Sequence, residues 1–503
     1  MFGCLKNVEM KMKRCCLLFW ILCFFQIAQA ADLPKREIRG VWLTTIYGLD
    51  WPRRPASTEA ARRAQQEELC RILDRLQEAN FNMVFLQVRL RGDVIYRSAI
   101  ESAAKTFSGK YGVMPGYDPL AFAIEECHRR GMECHAWFVT FPVGTEKQVK
   151  EQGKLSVVKR HPTLCKRHNG EWYLDPGIPA TADYILSLVK ELVTNYDIDG
   201  IHFDYIRYPE QAKSFPDKSV YTKYGKPKKL AEWRRENINR MVYRIYDWVK
   251  QTKPWVQVSS SPLGKYNRIP KVPNAGWTAY ESVFQDPKKW LTNGKQDMIV
   301  PMMYYRNNNF YPFVDNWVED CNGRLVVPGL GAYRMDPKEG DWEVGDITAQ
   351  IDYSRYSGGA GCAFFRCGNV LNNTKGLYEV LKNKYYKYPA QLPPLAWLNS
   401  RIPAAPAEIR VERINGELKL SWEKPASETE TLTYTVYYSL TDSIDTASPK
   451  QILATGIRGT ELYLPVSSTG EQGYLFSVSA SSRYRMESEC SPETYYYLSD
   501  YLK

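Results

Sequence analysis

The richest short stretch of potential chemistry reads Asp199-Gly200-Ile201-His202-Phe203-Asp204-Tyr205-Ile206-Arg207-Tyr208-Pro209. Ile201 and Phe203 alternate with His202 and Asp204, the two-residue period of a strand. One face is apolar, and the other carries an imidazole and a carboxyl. Asp204 closes the run, so its carboxylate stands at the strand's end. Arg207 is placed to hold that carboxylate ionised, as a nearby cation does. An ionised Asp suits a nucleophile or a general base better than an acid. The alternative is a structural Asp–Arg pair, because ion-pair networks also occur at such positions.

Carboxylate acid–base chemistry needs a second carboxyl kept protonated by burial or by another negative charge. Asp93, Glu281 and Asp175 are the candidates. Other polar residues fall at the ends of strand signals: Gln87 and Arg89, His135 and Trp137, Tyr304, and Arg366. With His202, Arg207 and Asp175, they would orient hydroxyls or stack on flat substrate faces. Carboxylates, Arg, His and aromatic rings converging on one rim suit a neutral, hydroxyl-rich polymer. Other chemistries lack their signatures. There is no H-E-x-x-H, no Gly-rich phosphate loop with Lys and Ser/Thr, and no G-x-G-x-x-G opening a helix after the first strand. Ser261 has no G-x-S-x-G around it. No metal and no cofactor is expected.

These groups need a scaffold that gathers strand ends. Eight short runs, apolar and rich in β-branched or aromatic residues, read as strands: Ile38–Thr45, Met83–Val88, Glu133–Val139, Gly200–Asp204, Gln257–Ser261, Asp297–Met303, Arg324–Gly329 and Gly361–Phe365. Helical patterns lie between them, at Glu59–Ala79, Pro119–Arg130, Thr181–Asn195, Leu230–Lys253, Asp286–Thr292, Phe313–Glu319, Ile347–Tyr356 and Gly376–Tyr386. In the first, Leu69, Ile72, Leu73 and Leu76 mark one face. Asp118 caps the second, Pro119 opens it and Gly131 stops it. Eight alternations imply a (β/α)8 TIM barrel over about residues 36–386, with its site at the strands' C-terminal ends.

Pro389, Pro393, Pro394 and Pro403 then mark an extended linker over residues 387–404. Residues 405–500 read as short alternating strands, at Glu417–Trp422, Tyr434–Tyr438, Gln451–Ala454, Glu461–Leu464 and Tyr474–Ser479. The pair Asn415-Gly416 marks a hairpin. This fits a seven-stranded all-β sandwich, and Trp422 and Tyr474 resemble their counterparts in a fibronectin type III domain. Such a module would act as a spacer or a protein-docking unit.

The first 30 residues read as a signal peptide: basic Lys11, Lys13 and Arg14, an apolar run from Cys15 to Phe25, and the small-residue pattern Ala28-Gln29-Ala30. The run is too short to span a membrane, which needs about 20 residues. A lipid anchor at Cys23 would need a small residue before it, and Leu22 stands there. An exported protein, periplasmic, cell-surface or extracellular, is expected. Of the net charge of +11, three units lie in this leader. The remainder has no run of five like charges, so nucleic acid is not an expected partner. Four of the 12 Cys also lie in the leader. The other eight have irregular spacing, which suggests mostly buried thiols with one or two bridges.

Several motifs agree in order with one family. They are Arg39-Gly40-Val41-Trp42-Leu43-Thr44-Thr45, Gln87-Val88-Arg89, Asp118-Pro119-Leu120, His135-Ala136-Trp137-Phe138, Leu174-Asp175-Pro176-Gly177-Ile178-Pro179 and Asp199-Gly200-Ile201-His202-Phe203-Asp204-Tyr205. The chain resembles the family-10-like glycosyl hydrolases of bacteria over about Arg36 to Tyr386. The resemblance implies an exported barrel enzyme that cuts a glycan, with some members tied to cell-wall strands. It does not imply the mechanism of true family-10 xylanases, which carry Glu at the ends of strands four and seven. Here strand four ends in Asp204, and Val326-Val327-Pro328-Gly329-Leu330-Gly331 has no carboxylate. In the family, the segment before Gln285-Asp286-Pro287 more often carries His or Asp where Glu281 stands here. A carbohydrate-binding barrel without catalysis remains the rival expectation.

Overall fold

The computed structural model describes residues 33–465 and 473–496. The expected signal peptide and the Cys23 anchor lie outside the described residues. Residues from Lys35 onward form one compact unit. Eight strand positions, numbered here in chain order, build its first part: β1 (Ile38–Leu43), β2 (Met83–Arg89), β3 (Glu133–Val139), β4 (Gly200–Asp204), β5 (Gln257–Ser260), β6 (Met298–Ile299), β7 in two pieces (Leu325–Val326 and Gly329–Leu330) and β8 (Gly361–Phe364). All pair in parallel with their neighbours.

β7 closes the ring. Its first piece pairs with β6 and its second with β8. The break has a local cause, because Pro328 has no N–H to donate to the ladder. Pro301 limits β6 in the same way, which explains why the expected run Asp297–Met303 holds so short a regular strand. Bonds from Gly329 N to Pro301 O (2.8 Å) and from Ala363 N to Pro328 O (3.1 Å) carry the pairing across. The eight strands therefore form a (β/α)8 barrel.

Helices follow the strands at the expected places. Glu59–Glu78 is capped by Thr58, whose side chain accepts from Ala61 N. Pro119–Arg129 is capped by Asp118, which accepts from Leu120 N and Ala121 N. The third helix, Pro179–Asn195, opens two residues before the expected Thr181. Pro179 supplies its first turn, and Thr181 lies inside it, buried. One feature had no sequence signal. Between β3 and this helix, three short strands (Pro142–Thr145, Cys165–His168 and Glu171–Leu174) make a small antiparallel sheet.

The C-terminal part holds two antiparallel sheets. One joins β9 (Ile409–Ile414), β10 (Glu417–Trp422) and β13 (Glu461–Pro465). The other joins β12 (Ile452–Ile457), β11 (Thr433–Ser439), β14 (Tyr474–Ser481) and β15 (Thr494–Tyr496). Leu420, Val436 and Val478 are buried between them with Trp422. Asn415 and Gly416 both take positive φ, 50° and 84°, and form the two-residue hairpin loop.

The Pro-rich stretch packs against the barrel. Leu395 is fully buried in one cluster with Ile38, Met83, Met298 and Leu325 of the barrel and Tyr484 of the sandwich. Arg485 grips Glu133 with two nitrogens, Nε to Oε1 at 2.8 Å and Nη2 to Oε2. Arg458 Nη2 reaches Asp199 Oδ1 at 2.6 Å. Glu133 and Asp199 stand at the start of β3 and just before β4, so the sandwich covers the end of the barrel opposite the strand C-termini. All eight described cysteines are free thiols, and five are buried. The expected bridges do not form among them.

Candidate active site

Asp204 is the last residue of β4 and is 6% exposed. The chain turns sharply after it, with Tyr205 at φ 51°. That turn brings Tyr205 N to donate to Asp204 Oδ1 at 2.7 Å. The indole Nε1 of Trp137, on β3, donates to Oδ2 at 3.2 Å. Thr140 N donates to the Asp204 carbonyl at 2.9 Å and fixes the backbone beneath the carboxyl.

Burial pushes the Asp204 carboxyl above the ordinary Asp range. The Arg207 charge, the Tyr205 N–H, Trp137 and Ser261 oppose it without reversing it. Arg207 does favour the ionised form, as expected from the sequence, but burial outweighs it. Among the described residues Arg207 forms no ion pair. Its guanidinium lies over the Tyr205 ring at 4.6 Å and near the Trp277 ring at 5.8 Å, and its buried Nε and Nη1 have no hydrogen-bond partner. Its positive charge acts on Asp204 through space. A carboxyl whose pKa is raised suits a general acid better than the nucleophile or base expected from the sequence.

A cleft of about 240 Å³ opens at the strand C-termini beside Asp204. Of the expected residues it is lined by Gln87, Trp137, Asp204 and Tyr304. Gln87 Oε1 accepts from Thr45 N (3.0 Å) and Ile46 N (2.8 Å), so it also ties down the loop after β1. Tyr304 stacks on Phe365 with centroids 5.7 Å apart at 25°. The rest of the wall includes Trp42, Thr44, Arg91, Tyr205, Ser261, Met302 and Phe365. Arg91 and Ser261 follow strand ends in the sequence, and the others had not been singled out for the site. A signal for part of the wall was present: in β1, Trp42 and Thr44 share the alternating face of Gly40 and stand at the C-terminal end.

His202 is fully buried, one layer below Asp204. Its Nε2 accepts from Trp42 Nε1–H at 3.2 Å, so Nδ1 carries the proton and donates to Ser259 Oγ at 2.9 Å. Burial, with the neighbouring His135, drives its pKa well below the usual value. It is a neutral post that orients Trp42, and it does not line the cleft.

Other expected residues lie elsewhere, for identifiable reasons. A bulge at Val88 shifts the β2–β3 register, so Arg89 pairs level with Phe138 and turns away from the barrel interior. There, fully buried, it clasps Glu101 at 2.7 and 2.8 Å and donates to Thr140 O at 2.9 Å. His135 occupies the barrel interior at its far end, with Nε2 2.9 Å from Glu133 Oε2. A Cβ on Gly200 would stand 2.3 Å from its ring. Arg366 donates to Leu49 O (2.9 Å) and Asp50 Oδ1 (2.5 Å) and braces the β1 loop.

The three candidate second carboxyls all lie off the cleft. Glu281 is on the surface, paired with Arg268 at 3.1 Å. Asp93 is buried and accepts Arg91 N at 2.9 Å. Burial raises it to about 7, against that N–H. Asp175 is fully buried and accepts Gly177 N at 2.9 Å. Burial raises it to about 6, and its Oδ2 has no partner. Asp204 is thus the one carboxyl lining the cleft among the described residues. No group of three or more His, Cys, Asp or Glu among them could hold a metal, and no helix among them could cross a membrane.

Residues 37–318 match the glycosyl hydrolase-like 10 family. The chain is 30% identical over 487 residues to the glycosyl hydrolase YngK of Bacillus subtilis, covering 91% of this chain and 93% of that protein. It is 33% identical over 353 residues to the glycosyl hydrolase DigH of Escherichia coli, covering 63% of this chain and 80% of that protein. Among solved structures, the PgaB (BpsB) glycoside hydrolase domain of Bordetella bronchiseptica aligns at 15% identity and a TM-score of 0.46, over 69% of this chain and 98% of that one.

Proposed function

Because the chain belongs to the glycosyl hydrolase-like 10 family, we propose that it is an exported glycoside hydrolase. It cleaves O-glycosidic bonds of a polysaccharide, and bacterial cell-wall glycan strands are the first candidate. One observation carries this reading: a buried carboxyl with a raised pKa sits at the C-terminal end of a central barrel strand, in a cleft walled by aromatic rings. Strand C-termini are where barrels of this kind place their catalytic groups. A protonated Asp204 would donate to the leaving oxygen, and Trp137 and Tyr304 offer ring faces for sugars. The barrel of residues 36–386 would hold the whole reaction, while the sandwich of residues 405–500, fibronectin type III-like in our reading, caps the far end.

The presence of one carboxyl in the cleft also favours a second reading, a barrel that binds glycan without cutting it. A screen decides between them. Wild type and Asp204→Asn are incubated with peptidoglycan glycan strands and with plant and host polysaccharides. New reducing ends with wild type, and a loss of at least about 10²-fold in the variant, support hydrolysis. Tight binding by both proteins with no cleavage establishes the binding barrel.

A further inference from the structure

We propose that a long glycan chain crosses the mouth of the barrel from the β1 rim to the β5 rim, with one sugar stacked on Tyr47 and another on Trp277, both outside the cleft. The proposal rests on the reading of the cleft as a glycan site and adds how the chain is held on either side of it.

The order of strands around the ring places β1 opposite β5. Each of these two strands is followed by a loop that displays one large ring to solvent. Tyr47 is 65% exposed and Trp277 is 40% exposed. Single apolar residues on a surface are ordinary. These two differ from the rest in where they stand and in how firmly they are held.

Trp277 is continuous with the cleft. Tyr205 lines the cleft, and the Arg207 guanidinium lies 4.6 Å from the Tyr205 ring and 5.8 Å from the Trp277 ring. One cation therefore joins the two rings. The residues on both sides of Trp277 are anchored. Ala275 is buried, and its carbonyl accepts from the buried Lys265 Nζ at 2.9 Å. Thr278 is fully buried, its N–H donates to Ser282 Oγ at 3.1 Å and its Oγ1 accepts from Glu281 N at 3.4 Å. Gly276 between them takes φ 70°, a conformation that glycine enters without a steric penalty. The loop is fixed before and after Trp277, and the ring itself is left facing water.

Tyr47 stands between two residues of the cleft wall, Ile46 and Leu49. Its backbone φ of 58° is an outlier for a bulky side chain. Such strain persists only where the surroundings impose it, and it collects at ligand sites. Here Gln87 Oε1 accepts from Ile46 N at 2.8 Å, and Gln148 Nε2 donates to the Tyr47 hydroxyl at 3.2 Å.

A sugar ring carries C–H groups on its face and hydroxyls at its edge. The face packs on an aromatic ring while the hydroxyls stay in water. Two such platforms on opposite rims, with the cleft between them, engage one chain at two places. Once one end is seated the second contact is intramolecular, so affinity grows with chain length.

The test measures that growth in full-length protein carrying Asp204→Asn, so that no probe is consumed. Peptidoglycan glycan strands cut to graded lengths, with xylan and hyaluronan series beside them, are titrated by calorimetry. The expected result is an affinity that rises with length in the parent. Adding Trp277→Ala or Tyr47→Ala should weaken binding of long strands by about tenfold and remove most of the gain from length. Trp277→Phe, which keeps a flat ring, should retain most of the gain, and Trp277→Leu, which keeps apolar bulk without a face, should lose it. Denaturation midpoints of the Trp277 variants should match the parent, since the ring is exposed. A series that binds with the same length dependence in the parent and in both Ala variants overturns the proposal and leaves the glycan reading standing. So does full retention by Trp277→Leu. If no series binds at any length, the glycan reading falls and the proposal falls with it.

Discussion

The indole N–H of Trp137 donates to Oδ2 of Asp204 across 3.2 Å, although Trp137 lies level with His202 in the strand register and Val139 lies level with Asp204. The ring therefore reaches up one layer to touch the acid. With the Tyr205 N–H on Oδ1, it fixes both oxygens while burial raises the pKa of the group.

Asp204→Asn should lower kcat/KM by at least about 10²-fold with the fold intact by circular dichroism. With Asp204 as the proposed general acid, the wild-type rate should fall as pH rises through its raised pKa. A variant as fast as wild type would remove Asp204 from the chemistry.

Trp137→Phe keeps a ring in the wall and removes the donor that favours the ionised carboxyl. The alkaline limb of the pH–rate profile should then move to higher pH. An unmoved limb would show that Asp204 does not set it.

Asp93 should make stability fall toward neutral pH. Its folded pKa of about 7 lies above the ordinary Asp value of 3.8. Its contribution is fully present below pH 3.8 and is lost as pH rises through about 7. The slope is at most about 1.4 kcal/mol per pH unit. Asp93→Asn should flatten that part of a urea-denaturation series taken against pH.

Arg89→Met leaves the Glu101 carboxylate buried without its guanidinium. Breaking such a pair by removing one partner costs about 3–5 kcal/mol. The loss should appear as a lower denaturation midpoint, with KM of the folded enzyme unchanged. A raised KM at normal stability would return Arg89 to the cleft.

Arg485→Met should weaken the seat of the sandwich and leave the cleft, at the other end, working at moderate temperature. Glu133 gives this a pH signature. Burial alone would raise its pKa, but the Arg485 charge and His135 hold it down to about 2. Its contribution is present above pH 4.5 and is lost as pH falls toward 2. That acid sensitivity should shrink in the variant.

The sequence by itself determined the barrel. Eight short runs such as Glu133–Val139 and Gly200–Asp204 are apolar and rich in β-branched or aromatic residues, and helical patterns, one with Asp118 as its visible cap, separate them. Both signals are local, since they depend only on neighbours along the chain. The place of Asp204 at a strand end followed from the two-residue period of Gly200–Asp204. Tertiary structure decided the rest. A single bulge at Val88 reversed the face of Arg89, and no residue type in that strand announces a bulge. The direction of the Asp204 pKa shift depended on how far neighbouring strands bury it relative to the distance of Arg207, a balance of desolvation against a charge three residues away. The wall of Trp42, Tyr304 and Phe365 joins the first, sixth and eighth strand ends, which meet only when the ring closes. Closure likewise left one carboxyl in the cleft, because Asp93, Asp175 and Glu281 sit on excursions whose paths are set by packing rather than by period.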